Sequence, residues 1–578
     1  MPISSAADRL GLLPPLRMRW PSQSGEVFLL AGLCLYVLVV GVMPLGRLLI
    51  EALRPGEDGQ AFGILLDVWQ SRAAPRALGN TMIASVGATM VSLLIGGLGA
   101  AVLHLTDIRG RTALGFLLLL PMLIPPQISA LAWIELTGPS SPLLRLAGLA
   151  PPPGTTNPLY SMGGIIWVMG LEHAPLVMLA TLTSLRALPR DLVEAASVSG
   201  ARRTAILWRI VLPLARPGLL AGGALAFVAA IGNFGVPALL GIPGRVTVLT
   251  TLIYQRLTGF GPSALAQVAS LSLVLVLLAA AGLLLRWLLL RRTSYLDRTG
   301  QPLDPFALGR FRLPMECVVW LLVLLISVLP LLALIASALV PALGVRLSVA
   351  TLSLDNFGFL FSNAALRRAF TNSFLLAGAA ALISALASFI LGYLTTVRRN
   401  ALARLLDLLA DAPYAVPGTV LALGVIMVFL PPLPVFGVSL YGTAWIILVA
   451  YLARFLPLAL RPVAASYATM DPALDEAGQI LGARVPRRLV QLSLPSVLPA
   501  TIAGALLVFM SAFNELTLSA LLWSTGTETL GVMVFFLQYE GNSPAASALA
   551  TVVVAVTLAV ALLLEVTARR FAPSASLL

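Results

Sequence analysis

The feature that most constrains this chain is a succession of apolar runs, each about 20 residues or longer, separated by short polar segments. A helix of about 20 apolar residues crosses a hydrocarbon core of about 30 Å. In lipid it must satisfy its own backbone N–H and C=O groups. The pattern predicts an all-α polytopic membrane protein with about 12 transmembrane helices. The expected spans fall near 27–50, 78–103, 113–137, 162–185, 218–241 and 264–290, then 314–340, 372–397, 405–430, 440–465, 498–523 and 545–568. The expected domains are 27–290 (core 78–285) and 314–568 (core 371–565), joined by a cytoplasmic linker at 291–313 and flanked by cytoplasmic tails at 1–26 and 569–578. The first apolar run is too long for a signal-peptide core and reads as a retained span.

Composition agrees: 59% of residues are hydrophobic and 11% charged, against about 25% charged in soluble domains. All 37 basic residues are Arg. A net charge of +13 invites a nucleic-acid reading, but the Arg side chains form no single basic face, so no nucleic-acid partner is expected. They sit in short loops, and most fall on one side, among them Arg109, Arg111, Arg202, Arg203, Arg291, Arg292, Arg398, Arg399, Arg487, Arg488, Arg569 and Arg570. The positive-inside rule assigns that side, with both termini, to the cytoplasm. The lack of Lys excludes a phosphate-binding Walker A loop, whose Lys reaches the terminal phosphates. ATP used in any transport cycle is therefore hydrolysed by another subunit, and no cofactor is expected to bind this chain directly. Cys34 and Cys317 lie in apolar runs and offer neither a disulfide framework nor a metal site.

The chain repeats internally. Arg76-Ala-Leu-Gly-Asn80 matches Arg368-Ala-Phe-Thr-Asn372 at an offset of 292, and Pro121 and Pro125 match Pro413 and Pro417. Past a ten-residue indel the offset is 282, pairing Pro175 with Pro457 and Glu194 with Glu476. An even number of spans per half makes the repeat parallel rather than inverted.

Two polar stretches are the counterparts of each other: Glu194-Ala-Ala-Ser-Val-Ser-Gly200, running to Leu212-Pro213, and Glu476-Ala-Gly-Gln-Ile-Leu-Gly482, running to Leu494-Pro495. Each reads as a short helix, with Asp191 or Asp471 available to cap its start and Asp191, Glu194, Asp475 and Glu476 complementing its dipole. Gly200 and Gly482 should break or bend it. The small residues Ala195, Ala196, Ala477 and Gly478 should let another backbone approach, and Pro213 and Pro495 should mark re-entry into the membrane. Such a projection suits docking to a cytoplasmic partner; the plain alternative is a pair of surface amphipathic helices.

The pattern Glu-Ala-Ala, three residues, Gly, nine residues, Ile-x-Leu-Pro resembles the EAA loop of binding-protein-dependent ABC importer permeases. The first copy matches throughout, whereas the second has Gly478 for Ala and Leu492 for Ile. The resemblance spans roughly 70–290 and 365–570 and implies two parallel six-helix repeats of the type I ABC importer permease fold, fused in one chain. It implies Asp191, Glu194, Ala195, Ala196, Gly200, Pro213, Asp475, Glu476, Ala477, Gly482 and Pro495 as residues coupling to a cytoplasmic ABC ATPase dimer. An extracytoplasmic substrate-binding protein is the second implied partner, with the lipid bilayer around both halves. The fused form, with Asn233-Phe-Gly-Val-Pro-Ala-Leu-Leu-Gly241 and Gly526-Thr-Glu-Thr-Leu-Gly531, is similar to iron(III)-type permeases. Thiamine, phosphonate and polyamine importers share the architecture.

Ionisable residues within spans are expensive in lipid and so are candidate sites: Glu135, Glu172 with His173, Asp411, Arg454 and Glu515. Glu172 and Arg454 are repeat counterparts, as are Asn233 and Glu515, and these four are the translocation-path candidates. Glu172 and Arg454 are expected to form an ion pair across the half–half interface; the alternative is that each satisfies local Pro-broken backbone. The rival class is an ion-gradient-driven secondary transporter, which predicts inverted repeats and interrupted spans. A membrane enzyme has little support, because no nucleophile–base pair, paired carboxylates or metal cluster stands out.

Overall fold

The computed structural model describes residues 24–55, 62–259, 264–291, 305–434 and 437–571. Residues 1–23 of the expected first tail, 292–304 of the linker (with Arg292) and 572–578 of the last tail lie outside the described residues. Among the described residues, 10 helices are long and apolar enough to cross a membrane, or 12 spans if each of two bent helix pairs counts as one. In the first half these are α1 (Gly25–Ala52), α2 (Ala73–Leu105), α3 (Arg111–Leu123), α4 (Pro126–Thr137) and α5 (Met162–Arg186). They continue as the short α6 (Arg190–Val198), α7 (Arg203–Gly232), α8 (Leu249–Thr258) and α9 (Ala264–Leu290). The second half repeats them as α10 (Gly309–Ala338), α11 (Ala364–Val397), α12 (Ala401–Ala415), α13 (Gly418–Phe429) and α14 (Ala444–Ala468). It closes with α15 (Pro472–Ile480), α16 (Val485–Phe513), α17 (Leu530–Tyr539) and α18 (Ser543–Phe571).

The expected spans 113–137 and 405–430 are each broken, by 105° between α3 and α4 and 111° between α12 and α13. Ile124 and Val416, each before a Pro, are extended at the break, because the Pro ring crowds the preceding residue out of the helical region. Interrupted spans therefore occur here within parallel halves, not only in the inverted repeats of the rival class.

The expected spans 218–241 and 498–523 are displaced toward the N-terminus, since α7 ends at Gly232 and α16 at Phe513. Apolar sequence continues past both helix ends, so hydropathy alone does not mark them. Pro213 and Pro495 each sit inside a continuous helix, α7 or α16, rather than at its start. Pro44, Pro213, Pro330 and Pro495 each follow a π turn, over Val37–Val42, Leu207–Val211, Leu324–Val328 and Leu489–Ser493. A Pro has no N–H for the carbonyl four residues back and its ring collides with it, so one widened turn preserves the helix.

Within each half, glycines set the closest helix crossings, as expected where lipid supplies no hydrophobic drive and packing must hold helices together. A Cβ on Gly96 of α2 would lie 2.2 Å from the Ala174 carbonyl oxygen of α5. Gly222 meets Val177 at 2.6 Å and its repeat counterpart Gly504 meets Ala459 at 2.9 Å by the same construction. Gly96→Leu is expected to cost about 3 kcal/mol through forced helix separation. Gly378→Leu, with nothing within 4 Å of the added Cβ, should leave the thermal midpoint of the detergent-purified protein near wild type.

The first helix of each half crosses to the other half. Leu30, Leu33 and Val37 of α1 join a core with Tyr393, Leu406 and Leu489 of the second half, and Tyr36 donates to the Leu452 carbonyl at 2.8 Å. Reciprocally, Ser337 of α10 donates to Glu135 of α4 at 2.7 Å. The start of α1 touches α16 through Gly25 and Val485, while its end packs with the start of α2 through Leu48, Ala52, Ala74 and Ala77. The two Glu-containing loops consequently lie at the same end of the bundle.

Candidate coupling loops and central seam

In the first loop, α6 begins after Pro189, and no side chain caps it; Asp191 lies two positions past the cap. In the second, Asp471 is the cap, accepting from the Ala473 N–H at 2.9 Å. Both helices end alike. Gly200 (φ +80°) and Gly482 (φ +75°) adopt the left-handed conformation. The following N–H groups reach back to close a Schellman motif, Ala201 to the Ala196 carbonyl at 3.0 Å and Ala483 to the Gly478 carbonyl at 2.9 Å. A Cβ at either glycine would strain the turn.

Glu194, Ala195, Glu476 and Ala477 are exposed, and Glu194 bonds Arg190 one turn back. Ala196 is half-buried against the first half's core. Gly478, expected to accommodate another backbone, is buried against Leu492 and Arg488 of its own half. Large apolar side chains stand out at counterpart positions: Leu192 and Leu474, then Val198, 89% exposed, and Ile480, 86% exposed. The two otherwise polar loops thus present apolar side chains at matching positions.

Beneath the exposed faces the two loops differ. Under the first, Val193 and Ile206 are buried in apolar contact. Their counterparts are Asp475, 2% exposed, and Arg488, fully buried, joined at 2.8 Å. Asp475 thus faces inward, not toward a partner. It also accepts from Tyr393 Oη at 2.9 Å and Gln479 Nε2 at 2.7 Å. Glu26 of α1 lies 3.6 Å from Arg488 and 2.8 Å from Arg398. The first loop is tied instead to the linker: Arg203 donates to the Ala307 carbonyl at 2.6 Å. Nearby, the Leu308 N–H, then Arg312, hold the Asp107 carboxyl below the usual carboxylate range.

The four path candidates form no cluster of the kind expected. Glu172 accepts from Asn233 at 2.9 Å and has His173 at 3.7 Å, all within the first half. Arg454 donates to the Val416 carbonyl at the α12–α13 break, 3.1 Å away. The expected Glu172–Arg454 ion pair is absent among the described residues, because the kinked span beside Arg454 leaves a carbonyl that takes the guanidinium. Asn233 and Glu515 do share a role. Each follows the end of a long helix and caps the next turn, Asn233 accepting from Val236 at 3.2 Å and Glu515 from Leu518 at 2.8 Å. Asp411 pairs with Arg461.

The seam between halves is made by residues that hydropathy does not distinguish. Phe234 and Tyr254 face Phe535 with ring centres 6.3 and 6.1 Å apart, and Gln127 donates to the Asn514 carbonyl at 3.2 Å. Phe234 and Phe535 are buried, so the seam is packed closed here.

A duplicated helical bundle, with an occluded seam between parallel halves and paired projecting loops at one end, defines a membrane transport protein. Residues 94–293 and 388–576 each match the family described as binding-protein-dependent transport system inner membrane component. The chain belongs to that family and is an ABC importer permease with two such domains fused. It is 26% identical to an Fe(3+)-transport system permease protein of Haemophilus influenzae, over 90% of this chain and 94% of that one. It is 25% identical to a probable ABC transporter permease protein of Sinorhizobium fredii, over 82% and 84%. A probable molybdenum ABC transporter permease protein of Haloferax volcanii is 30% identical over 45% of this chain and 88% of its own length.

Proposed function

We propose that α6 and α15 are coupling helices that seat in two copies of a separate cytoplasmic ATPase, and that the seam at Phe234, Tyr254 and Phe535 is the closed translocation path. The observation that carries this is the counterpart pair Val198 and Ile480, held out on Schellman-ended turns at one end of the bundle. Nucleotide-driven closure of the ATPase dimer moves both helices together and rocks the halves about the seam. The loop end is cytoplasmic on the Arg distribution, in a bacterial inner membrane, with both termini on that side. The chain performs no hydrolysis itself, and ATP is used by the partner. The two domains follow the repeat, with the first helix of each crossing to the other.

The cargo we assign is iron(III), delivered by an extracytoplasmic binding protein. The full-length likeness to the Haemophilus protein supports iron over the half-length likeness to the molybdenum permease. Tagged chain purified from native membranes should bring down an ATPase, and a binding protein captured with it should take up iron(III) in calorimetry. Purification without any ATPase contradicts the coupling assignment; binding of molybdate or a phosphonate and not iron contradicts the cargo. The Glu172–Asn233 bond, by contrast, is structural: Glu172→Gln, which can still bond Asn233, should retain at least about half the wild-type transport rate, while Glu172→Leu should lower stability by about 1–3 kcal/mol.

A further inference from the structure

A cavity of about 360 Å³ opens between the last turns of α2 and α5 and the first turns of α3, at the end that bears the Glu-containing loops. Its polar lining includes His104, Arg111 and Arg186, with no carboxylate, and its walls are apolar, including Leu103, Leu119 and Met178. Arg111 donates to the Thr106 carbonyl and acts at longer range on Asp107, which pairs with Arg312 at 3.5 Å and does not line the cavity; among the described residues neither Arg111 nor Arg186 forms an ion pair within 4 Å. His104 Nε2 is buried with no hydrogen-bond partner.

The second half shows what satisfies such a groove. The counterparts of Gly115, Leu119 and Leu179 are Asp407, Asp411 and Arg461. There Arg461 sits 3.1 Å from Asp407 and also bonds Asp411. That groove carries its own counter-charge in its wall, whereas the lining of the first-half groove has cations and no carboxylate. A phosphate with an acyl chain matches both parts of the first-half groove, the guanidinium groups by charge-assisted hydrogen bonds and the walls by burial. Basic pockets between helices at a membrane face bind anionic headgroups on this physical basis.

We propose that the groove formed by His104, Arg111 and Arg186 binds a phosphate-bearing anion, the headgroup of an anionic phospholipid in the leaflet on the loop side. The test uses the full chain in phosphatidylcholine nanodiscs, titrated with phosphatidylglycerol or with inorganic phosphate, and bound ligand counted by native mass spectrometry. Wild type should bind one phosphatidylglycerol on the order of tenfold more tightly than Arg111→Gln/Arg186→Gln. Gly115→Asp should weaken binding similarly by supplying the internal carboxylate of the second half. Its Cβ meets Leu103 at an ordinary 3.7 Å, and an unchanged thermal midpoint of the variant checks that the fold is kept. Arg404→Gln, a charge loss at the counterpart of Thr112, should bind as wild type. Arginine-dependent uptake of inorganic phosphate alone would keep the anion site and assign it to a free ion. Equal binding of both probes by wild type and the groove variants would overturn the proposal.

Discussion

Asp475→Ala is expected to open the second loop by about 3–5 kcal/mol, the cost of leaving one member of a buried ion pair without its partner. Arg488 is fully buried, and in the variant its nearest carboxylate would be Glu26, 3.6 Å away and already bonded to Arg398 at 2.8 Å. Tyr393 would lose the acceptor of its hydroxyl as well. Hydrogen exchange over residues 472–493 should accelerate roughly 100-fold or more, with little change in α6. The first half also supplies the rescue. Asp475→Val with Arg488→Ile and Tyr393→Phe installs the apolar solution used at Val193 and Ile206. Replacing a buried pair by packed apolar residues is often neutral or stabilising, so exchange in the triple variant should return to near the wild-type rate. A triple variant as open as Asp475→Ala would show that the pair does more than fill the site.

Val198→Glu combined with Ile480→Glu is expected to weaken association with the ATPase roughly 100-fold, about 3 kcal/mol, while the permease itself stays folded. Both side chains are almost fully exposed in the isolated chain, so a carboxylate there costs the permease little. In a docked complex each would be buried without a partner, which costs several kcal/mol per charge unless it is neutralised. ATP-driven uptake should fall in step with association. Each single variant should lose less than the pair, because the remaining helix still docks. Unchanged affinity in the double variant would place the docking surface elsewhere.

The class and the repeat were legible because membrane burial leaves a strong pattern. Long apolar runs, Arg placement and two offsets, 292 and 282, were sufficient. The Gly200 and Gly482 turns were legible too, since a glycine after a short polar helix has a physical reason to sit at positive φ. The ends of α7 and α16 were not. Inside a membrane the residues after a helix end are as apolar as those before it, and only Asn233 and Glu515 mark the turn. The Glu172–Arg454 pairing failed because counterpart positions need not face the axis, and each group found a partner in its own half. The ion pair beneath the second loop left a readable signal that hydropathy ignores. The 282 offset sets Asp475 and Arg488 opposite Val193 and Ile206, two charges where the other copy is apolar. The crossing of α1 and α10 between halves left none, as an apolar helix carries no mark of which bundle it joins.

The most direct test of the docking assignment is cross-linking from single cysteines in a chain with Cys34 and Cys317 replaced. Val198→Cys and Ile480→Cys, each treated in native membranes with a short thiol-to-amine reagent, should both form adducts with the ATPase subunit. Thr156→Cys, exposed in the long loop at the opposite end, should form none. Adducts from Thr156→Cys, or from neither loop position while the ATPase remains bound, would contradict the assignment of α6 and α15 as the point where ATP hydrolysis acts on the permease.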